Sequence, residues 1–257
     1  MTPRPATWQR PEPLSGPLDY NDVMRELQVR SRLDQAAVRR YNDAPDPALA
    51  TPSLEADAPG VPVTPAAAGA RPLDELLRDR VAVRTYAPAP VTADELAAVL
   101  NQAQSFDSLS WPDHHAGGPL GFLVAARNVT GLPTGLYGYE PELGEFSRLA
   151  DLPEGEAAES MVLQMEFAWA PAIVLVCGSL AASLDRHGEH GHRLLMARAG
   201  AAAHTAWLAA LDQGLVGSIF AGFLSSALKP LLGLDGYRTA QLLAFAVGRP
   251  PLDGPAA

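Results

Sequence analysis

The spacing of apolar residues predicts a chain that alternates helices and strands from about residue 71 to residue 251. Apolar positions three and four residues apart predict helices over 19–41, 72–79, 92–104, 154–169 and 225–232. Short apolar runs predict strands at 120–126, 135–139, 145–149, 172–177, 216–220 and 241–248, and a loop is expected at 105–119. We therefore expect an α+β domain in which helices flank a mixed central sheet.

The longest helical pattern, 192–213, is apolar on nearly every face. It is rich in alanine and glycine and ends at Gly214, which suits the left-handed conformation of a helix C-terminus. A helix without a polar face is buried, and small residues let another helix approach closely. This pattern predicts the core helix of a dimer or, alternatively, a central helix of a monomer.

Two stretches rich in proline and alanine lie within residues 1–70, before the alternating helices and strands begin. Residues 1–18 contain five prolines and residues 43–70 contain six, which disfavours helix. We expect residues 1–18 to be an extended arm or disordered, and residues 43–70 to be a linker or wrapping segment. We therefore divide the chain into a Pro/Ala-rich arm with one helix (1–70), a folded domain (71–251) and a tail (252–257).

The net charge and the composition argue against a nucleic-acid or membrane partner. The formal net charge of −10 makes a nucleic-acid partner unlikely on electrostatic grounds. No uninterrupted apolar segment reaches the roughly 18 residues that a membrane span needs, and no signal peptide is recognised, so we expect a cytoplasmic protein without a membrane partner. The single cysteine, Cys177, lies in an apolar run and is expected to be a core thiol.

A cationic segment precedes the predicted helix 92–104. If residues 80–84 are extended, Arg80, Ala82 and Arg84 share one side, and two guanidinium groups on one side suit a phosphate. The alternative is a pair of solvated arginines. Thr92 and Glu95 have the spacing of a capping box, which predicts where the helix begins.

Four blocks of this sequence resemble nitroreductase-like flavoproteins, and specifically their SagB-type branch. The first resembles the opening signature of the superfamily, with Ala82 where that pattern has serine. Its matching residues are Arg80, Arg84, Tyr86, Pro90, Val91 and Leu96. The other blocks are 127–141, 186–193 (RHGEHGHR), and 217–234 with 248–250. Together the four blocks span residues 71–251.

The resemblance implies a nitroreductase-like fold, an intertwined homodimer and FMN as cofactor. It places Arg80 and Arg84 at the FMN phosphate, with Arg249 a further phosphate ligand. It places Gly222, within Phe220-Ala221-Gly222, where a backbone N–H lies near flavin N5. A glycine suits that position because a donor must approach the ring closely; the alternative is a glycine that merely precedes a helix.

The resemblance also implies an activity, the oxidation of azolines to azoles in ribosomally made peptides. The branch's usual Lys-Tyr pair falls on Arg186 and His187. Arginine cannot act as a general base at neutral pH, whereas histidine can. Three alternatives stay open: His187 has become the base, the enzyme carries out other chemistry, or catalysis has been lost.

These alternatives correspond to three hypotheses for function. The first is an FMN-dependent azoline dehydrogenase that acts on a modified peptide, with other peptide-modifying enzymes as further partners. The second is a reductase of dehydroamino acids, nitro compounds or quinones that uses a nicotinamide donor. The third is a degenerate structural subunit of a peptide-modifying complex. His187, His190 and His192 also form an H-x-x-H-x-H pattern, but no cluster of carboxylates or cysteines accompanies it, and we expect no metal site.

Overall fold

The computed structural model describes residues 20–33, 35, 36, 39, 54–111 and 118–252. The predicted arm 1–18, the residues at 112–117 with His114 and His115, and the tail beyond Leu252 lie outside this part of the chain. The helices are α1 (Tyr20–Arg30), α2 (Leu73–Asp79), α3 (Ala93–Ser110), α4 (Glu156–Glu159), α5 (Leu180–His187), α6 (His190–Asp212) and α7 (Leu228–Leu232). Two 3₁₀ turns cover Met165–Trp169 and Ser225–Ala227.

A seven-stranded sheet organises the domain. The strands are β1 (Val61–Pro62), β2 (Val91–Thr92), β3 (Gly121–Ala126), β4 (Val129–Thr130), β5 (Gly135–Glu140), β6 (Glu145–Ala150), β7 (Ala172–Gly178), β8 (Val216–Phe220) and β9 (Ala240–Gly248). The main sheet has the order β1-β6-β5-β3-β7-β9-β8, and its described pairs are antiparallel. The parallel pair is β2 with β4, outside this sheet. The predicted α+β class is confirmed, but the central sheet, predicted to be mixed, is antiparallel in its described pairs.

Two apolar layers cover opposite faces of the sheet. On one face α3 and α6 pack against alternate strand residues such as Phe122, Val174 and Phe245. On the other face Phe167 and Leu228 pack against the remaining strand residues, among them Phe220. β7 is buried along its whole length, as its continuous apolar run predicts.

The start of α3 confirms the predicted capping box. The Glu95 N–H donates to Thr92 Oγ1 over 3.2 Å, and the Thr92 N–H donates to Glu95 Oε2 over 2.9 Å. The helix then continues to Ser110, so the prediction of a loop from residue 105 is wrong over 105–110. Asp107 explains the extra turn, because its buried carboxylate pairs with Arg198 of α6 and ties the end of α3 to the core.

Two other predicted helices are shorter in the structure. The pattern at 154–169 gives only α4 and a 3₁₀ turn, because residues 161–163 pair with 222–224 by backbone hydrogen bonds. In the N-terminal segment the described helix is Tyr20–Arg30, residues 31–33 interrupt the predicted helix 19–41, and the described residues beyond them, 35, 36 and 39, are helical.

Residues 54–70 lie along the folded domain. β1 pairs with β6 at the edge of the sheet, and the Arg71 N–H donates to Asp212 Oδ1 at the end of α6 over 3.2 Å. The Ala66 N–H donates to the Asp94 carbonyl over 2.9 Å. This half of the Ala/Pro-rich segment therefore wraps the domain.

One helix, α6, is long and apolar enough to cross a membrane by length and composition alone. Half of its apolar window is buried inside the fold, as in the core helix of a soluble protein. This single helix is therefore weak evidence for a membrane protein.

Candidate functional site

The cationic segment runs along the outer edge of the sheet beside β8. The Val83 N–H donates to the Gly217 carbonyl over 3.0 Å, and the Ala87 N–H donates to the Arg249 carbonyl over 3.1 Å. Tyr86 fixes the turn by donating its hydroxyl to the Val83 carbonyl, and burial raises the pKa of that hydroxyl. Ala82 is exposed on this edge. The segment that sequence reasoning selected is therefore anchored at both ends.

Arg80 lies against α6. Its guanidinium carbon is 4.6 Å from the centre of the Trp207 ring, a cation–π distance. His204 lies one turn earlier on the same helix, and burial together with the charge of Arg80 lowers the pKa of its imidazole. Trp207 Nε1 is buried and donates to no acceptor in the described part of the chain. This corner of the fold thus gathers hydrogen-bond donors and positive charge.

Arg84 makes its contacts on the other face of the sheet. It donates to Glu166 over 3.3 Å, and its guanidinium lies 5.9 Å from the Phe167 ring. Phe167 in turn stacks on Phe220 with ring centres 4.1 Å apart. Arg80 and Arg84 therefore flank Val83 but contact different layers of the fold, and the structure gives them no shared protein partner.

Arg249 is engaged with the start of α3. Its guanidinium donates to Glu95 over 2.8 Å and to the Pro90 carbonyl over 3.1 Å, and its side chain is 29% exposed. These contacts connect the end of β9 to the capping box. The Arg249–Glu95 pair is shorter and less exposed than the Arg84–Glu166 pair, so the predicted role of Arg249 as a phosphate ligand is the least supported of the three arginines.

Gly222 lies in a short backbone ladder after β8. Its carbonyl accepts the Leu163 N–H over 2.7 Å, and a Cβ placed on it would lie 3.2 Å from Leu163 Cβ. The N–H of Gly222 donates to no acceptor among residues 54–111 and 118–252. The Leu163 side chain is 70% exposed beside it. A small residue with an available backbone donor is thus present where the sequence predicts one.

The register between β8 and β9 gives the distance along the sheet edge from the cationic segment to the end of β8, which precedes Gly222. Gly217, which binds the cationic segment, pairs with Val247, and Phe220 pairs with Ala244. These positions are three residue steps apart along the strand, about 10 Å. Arg84 and Gly222 are connected through Phe167 and Phe220, so the cationic segment and the predicted N5 donor lie along one edge of the molecule.

Arg186 and His187 lie elsewhere in the subunit. They end α5, which follows β7 where Gly178 pairs with Ala240 at the other end of β9. α6 begins three residues after His187, and 17 residue steps, about 25 Å, separate its first residue His190 from Trp207, which Arg80 contacts. Both side chains are half-buried. Within one subunit the structure therefore does not bring the predicted catalytic pair to the predicted phosphate-binding segment.

A buried ion pair between α3 and α6 was not predicted from the sequence. Arg198 donates to both carboxylate oxygens of Asp107 over 2.5 and 2.6 Å, and it also donates to the Gly118 carbonyl. Both side chains are almost completely buried. The only signal in the sequence is an arginine within the apolar pattern of 192–213.

The site has the donor chemistry that FMN requires. Guanidinium groups, an imidazole and an indole N–H suit a phosphate, and the N–H of Gly222 suits a ring nitrogen. In the described part of the chain, no group of three or more His, Cys, Asp or Glu residues converges as metal ligands would. Cys177 is buried, and burial raises the pKa of its thiol to about 12.

The family model described as the nitroreductase family matches residues 77–249. A protein of Methanocaldococcus jannaschii, provisionally named a nitroreductase, is 30% identical over 185 residues, which cover 69% of this chain and 90% of that protein.

Solved structures agree on the fold. A provisionally named nitroreductase from Anabaena variabilis is 25% identical with a TM-score of 0.58; the match covers 70% of this chain but only 38% of that protein. One from Desulfovibrio desulfuricans, solved in complex with FMN, is 20% identical with a TM-score of 0.51 and coverages of 73% and 91%. A chain of the Escherichia coli microcin synthetase complex McbBCD, solved with truncated pro-MccB17 bound, is 13% identical with a TM-score of 0.55 and coverages of 90% and 92%.

Proposed function

Because this chain belongs to the nitroreductase family, whose members bind FMN, we propose that it is an FMN-dependent azoline dehydrogenase acting on a modified peptide. The observation that carries the proposal is the conjunction of Arg80, Arg84 and the free Gly222 N–H along one edge of the fold. The blocks at 127–141 and 186–193 support the SagB-type branch. The microcin synthetase chain supports it through a shared fold alone.

In this proposal each residue has a limited task. Arg80 and Arg84 hold the phosphate, Gly222 donates its N–H to the flavin ring, and exposed Leu163 borders the place where a substrate would meet the ring. FMN held by these residues would supply the hydride acceptor for the oxidation. His187 removes a proton from the azoline ring, because an imidazole can be neutral at neutral pH. Arg186 lies beside it as a positive group.

The position of His187 requires a second subunit in this account. Since His187 and the cationic segment are far apart within one chain, we propose that the site is completed between two subunits of a homodimer. α6 supports this arrangement, because Met196 and Ala197 on it are exposed and a side chain at Gly200 would meet open space.

A second candidate function is a same-fold reductase of dehydroamino acids, nitro compounds or quinones. Arg186 and His187 favour it, because they stand where the SagB-type branch has its Lys-Tyr pair. A catalytically degenerate subunit of a peptide-modifying complex is the remaining alternative. Ala82 favours it, since it offers no hydroxyl to a flavin.

The test is turnover of an azoline-containing peptide by the FMN-loaded protein in the presence of oxygen. The dehydrogenase predicts a product about two mass units lighter, because a proton and a hydride leave the ring. Unchanged peptide mass with bleaching of the flavin by a nicotinamide donor would instead support the reductase. Failure of both reactions would support the structural subunit.

The role of His187 has its own test. His187→Ala is expected to abolish azoline turnover while the FMN content stays that of the parent protein. His192→Ala, a histidine in the same sequence block, is the matched control and should retain activity. Turnover that survives in His187→Ala would show that another group is the base.

A further inference from the structure

The corner around Arg80 differs from the surroundings of Arg84 and Arg249. Arg84 and Arg249 each pair with a glutamate. The partly buried guanidinium of Arg80 instead lies over the Trp207 ring, and no carboxylate among the described residues lies within ion-pair distance of it. In a protein with a net charge of −10, a partly buried cation without a carboxylate partner indicates a place for an anionic ligand.

His204 adds a second group of potential positive charge to this corner. It precedes Trp207 by three residues on α6, so the two side chains are neighbours on one side of the helix. His204 is half-buried, and the charge of Arg80 acts on its imidazole and, together with burial, lowers its pKa. In the free protein the imidazole is therefore biased toward its neutral form.

The surrounding charged groups are already occupied. On α2, Asp79 pairs with Arg71 and Asp74 pairs with Arg78. On α3, Glu95 pairs with Arg249, and Asp107 pairs with Arg198 of α6 itself. Arg80 is the charged group that acts on His204. Asp94 and Asp212 accept backbone N–H groups, Glu75 of α2 is exposed, and no described carboxylate forms an ion pair with Arg80.

We propose that His204 is a second cationic ligand of the FMN phosphate, and that it binds the phosphate together with Arg80 over the Trp207 platform. This inference rests on the proposed function and adds a residue that neither the sequence motifs nor the comparisons assign. A phosphate dianion beside the imidazole favours its protonated form. FMN affinity should therefore rise as the pH falls through the pKa that His204 has in the complex.

As the pH falls, protonation of His204 and protonation of the FMN phosphate should change FMN affinity in opposite directions. The second pKa of a phosphate monoester is about 6, so FMN loses negative charge on acidification and should bind more weakly for that reason alone. His204→Gln retains only this second effect. The ratio of the FMN dissociation constants of His204→Gln and the parent protein should then grow on acidification, by about tenfold for each unit by which binding raises the pKa.

The experiment measures FMN and riboflavin affinities of the full chain from pH 5.5 to pH 8.5 by flavin fluorescence. His204→Gln is compared with His192→Gln, a matched change on the same helix. For FMN, the ratio of the dissociation constants of His204→Gln and the parent protein should grow on acidification. For riboflavin, which lacks the phosphate, this ratio should not change with pH. His192→Gln should bind FMN with the pH dependence of the parent protein. Equal pH profiles for His204→Gln and the parent protein would overturn the role of His204 and leave FMN binding intact. Absence of FMN binding at every pH would overturn the proposed function as well.

Discussion

Arg198 is the largest fully buried side chain in the described part of the molecule, and it is charged. It is satisfied by two hydrogen bonds to Asp107 and one to the Gly118 carbonyl. Removing one partner of such a pair leaves an uncompensated buried charge, whereas replacing both by apolar residues leaves no buried charge. The pair is therefore expected to specify how α3 meets α6.

The first prediction concerns this pair. Asp107→Leu or Arg198→Met alone should lower the free energy of unfolding by about 3–5 kcal/mol, and the double variant should recover most of that loss. Urea denaturation of the FMN-free protein measures both effects. Additive losses in the double variant would mean that the two side chains do not act as a pair.

The arginines show what a sequence pattern can and cannot specify at the residue scale. The pattern predicts that Arg80 and Arg84 share one side of an extended segment, whereas in the structure they contact different layers of the fold. It cannot predict that Arg80 stacks on Trp207 while Arg84 reaches Glu166, because those partners lie 127 and 82 residues further along the chain. The roles of Arg80, Ala82, Arg84, Phe220, Ala221, Gly222 and Arg249 at the cofactor stay predictions.

The second prediction distinguishes Arg80 from Arg249. Arg80→Met should weaken FMN binding by roughly tenfold to a hundredfold, since a hydrogen bond to a charged group contributes about 1.5–3 kcal/mol. Riboflavin binding should change little. Arg78→Met, which removes an exposed pair with Asp74, is the control, and Arg249→Met should have a smaller effect than Arg80→Met. Equal losses for FMN and riboflavin would contradict phosphate binding by Arg80.

At the scale of elements, local signals predict helix starts better than helix lengths. The capping box fixes the start of α3 because Thr92 and Glu95 are three residues apart and bond each other's backbone. Its end depends on Asp107 meeting Arg198, a contact between distant segments. Residues 161–163 likewise leave the predicted helix because the backbone of 222–224 offers them hydrogen-bond partners.

The third prediction tests the capping box. Thr92→Ala should lower the free energy of unfolding by about 1 kcal/mol, because the Glu95 N–H loses its acceptor. Thr130→Ala, an exposed strand residue that pairs with position 92 through the backbone, is the control and should cost less. The difference is measured by urea denaturation, and equal losses would contradict a capping role for Thr92.

At the scale of the whole molecule, several apolar side chains are exposed on the surface of the single chain. Met24 and Val29 of α1 are about half exposed, and Leu109 at the end of α3 is 82% exposed. Gly200 on α6 faces open space within one chain. The proposed homodimer would cover these surfaces and bring His187 of one subunit to the cationic segment of the other.

The fourth prediction tests that dimer. Light scattering during gel filtration should give the parent protein twice the mass of one 27.1 kDa chain. Gly200→Leu should shift the protein toward single chains, because the added side chain blocks close approach of a second helix while leaving the subunit itself room. Gly200→Ala is the milder control and should stay dimeric. A parent protein with the mass of one chain would contradict the shared site.

The central claim is that the edge running from Arg80 to Gly222 holds FMN. The most direct measurement is the flavin content of the purified protein after reconstitution with FMN and removal of excess. The account predicts a yellow protein with one FMN per chain and loss of that flavin in Arg80→Met. A folded protein that stays colourless and retains no FMN would contradict it.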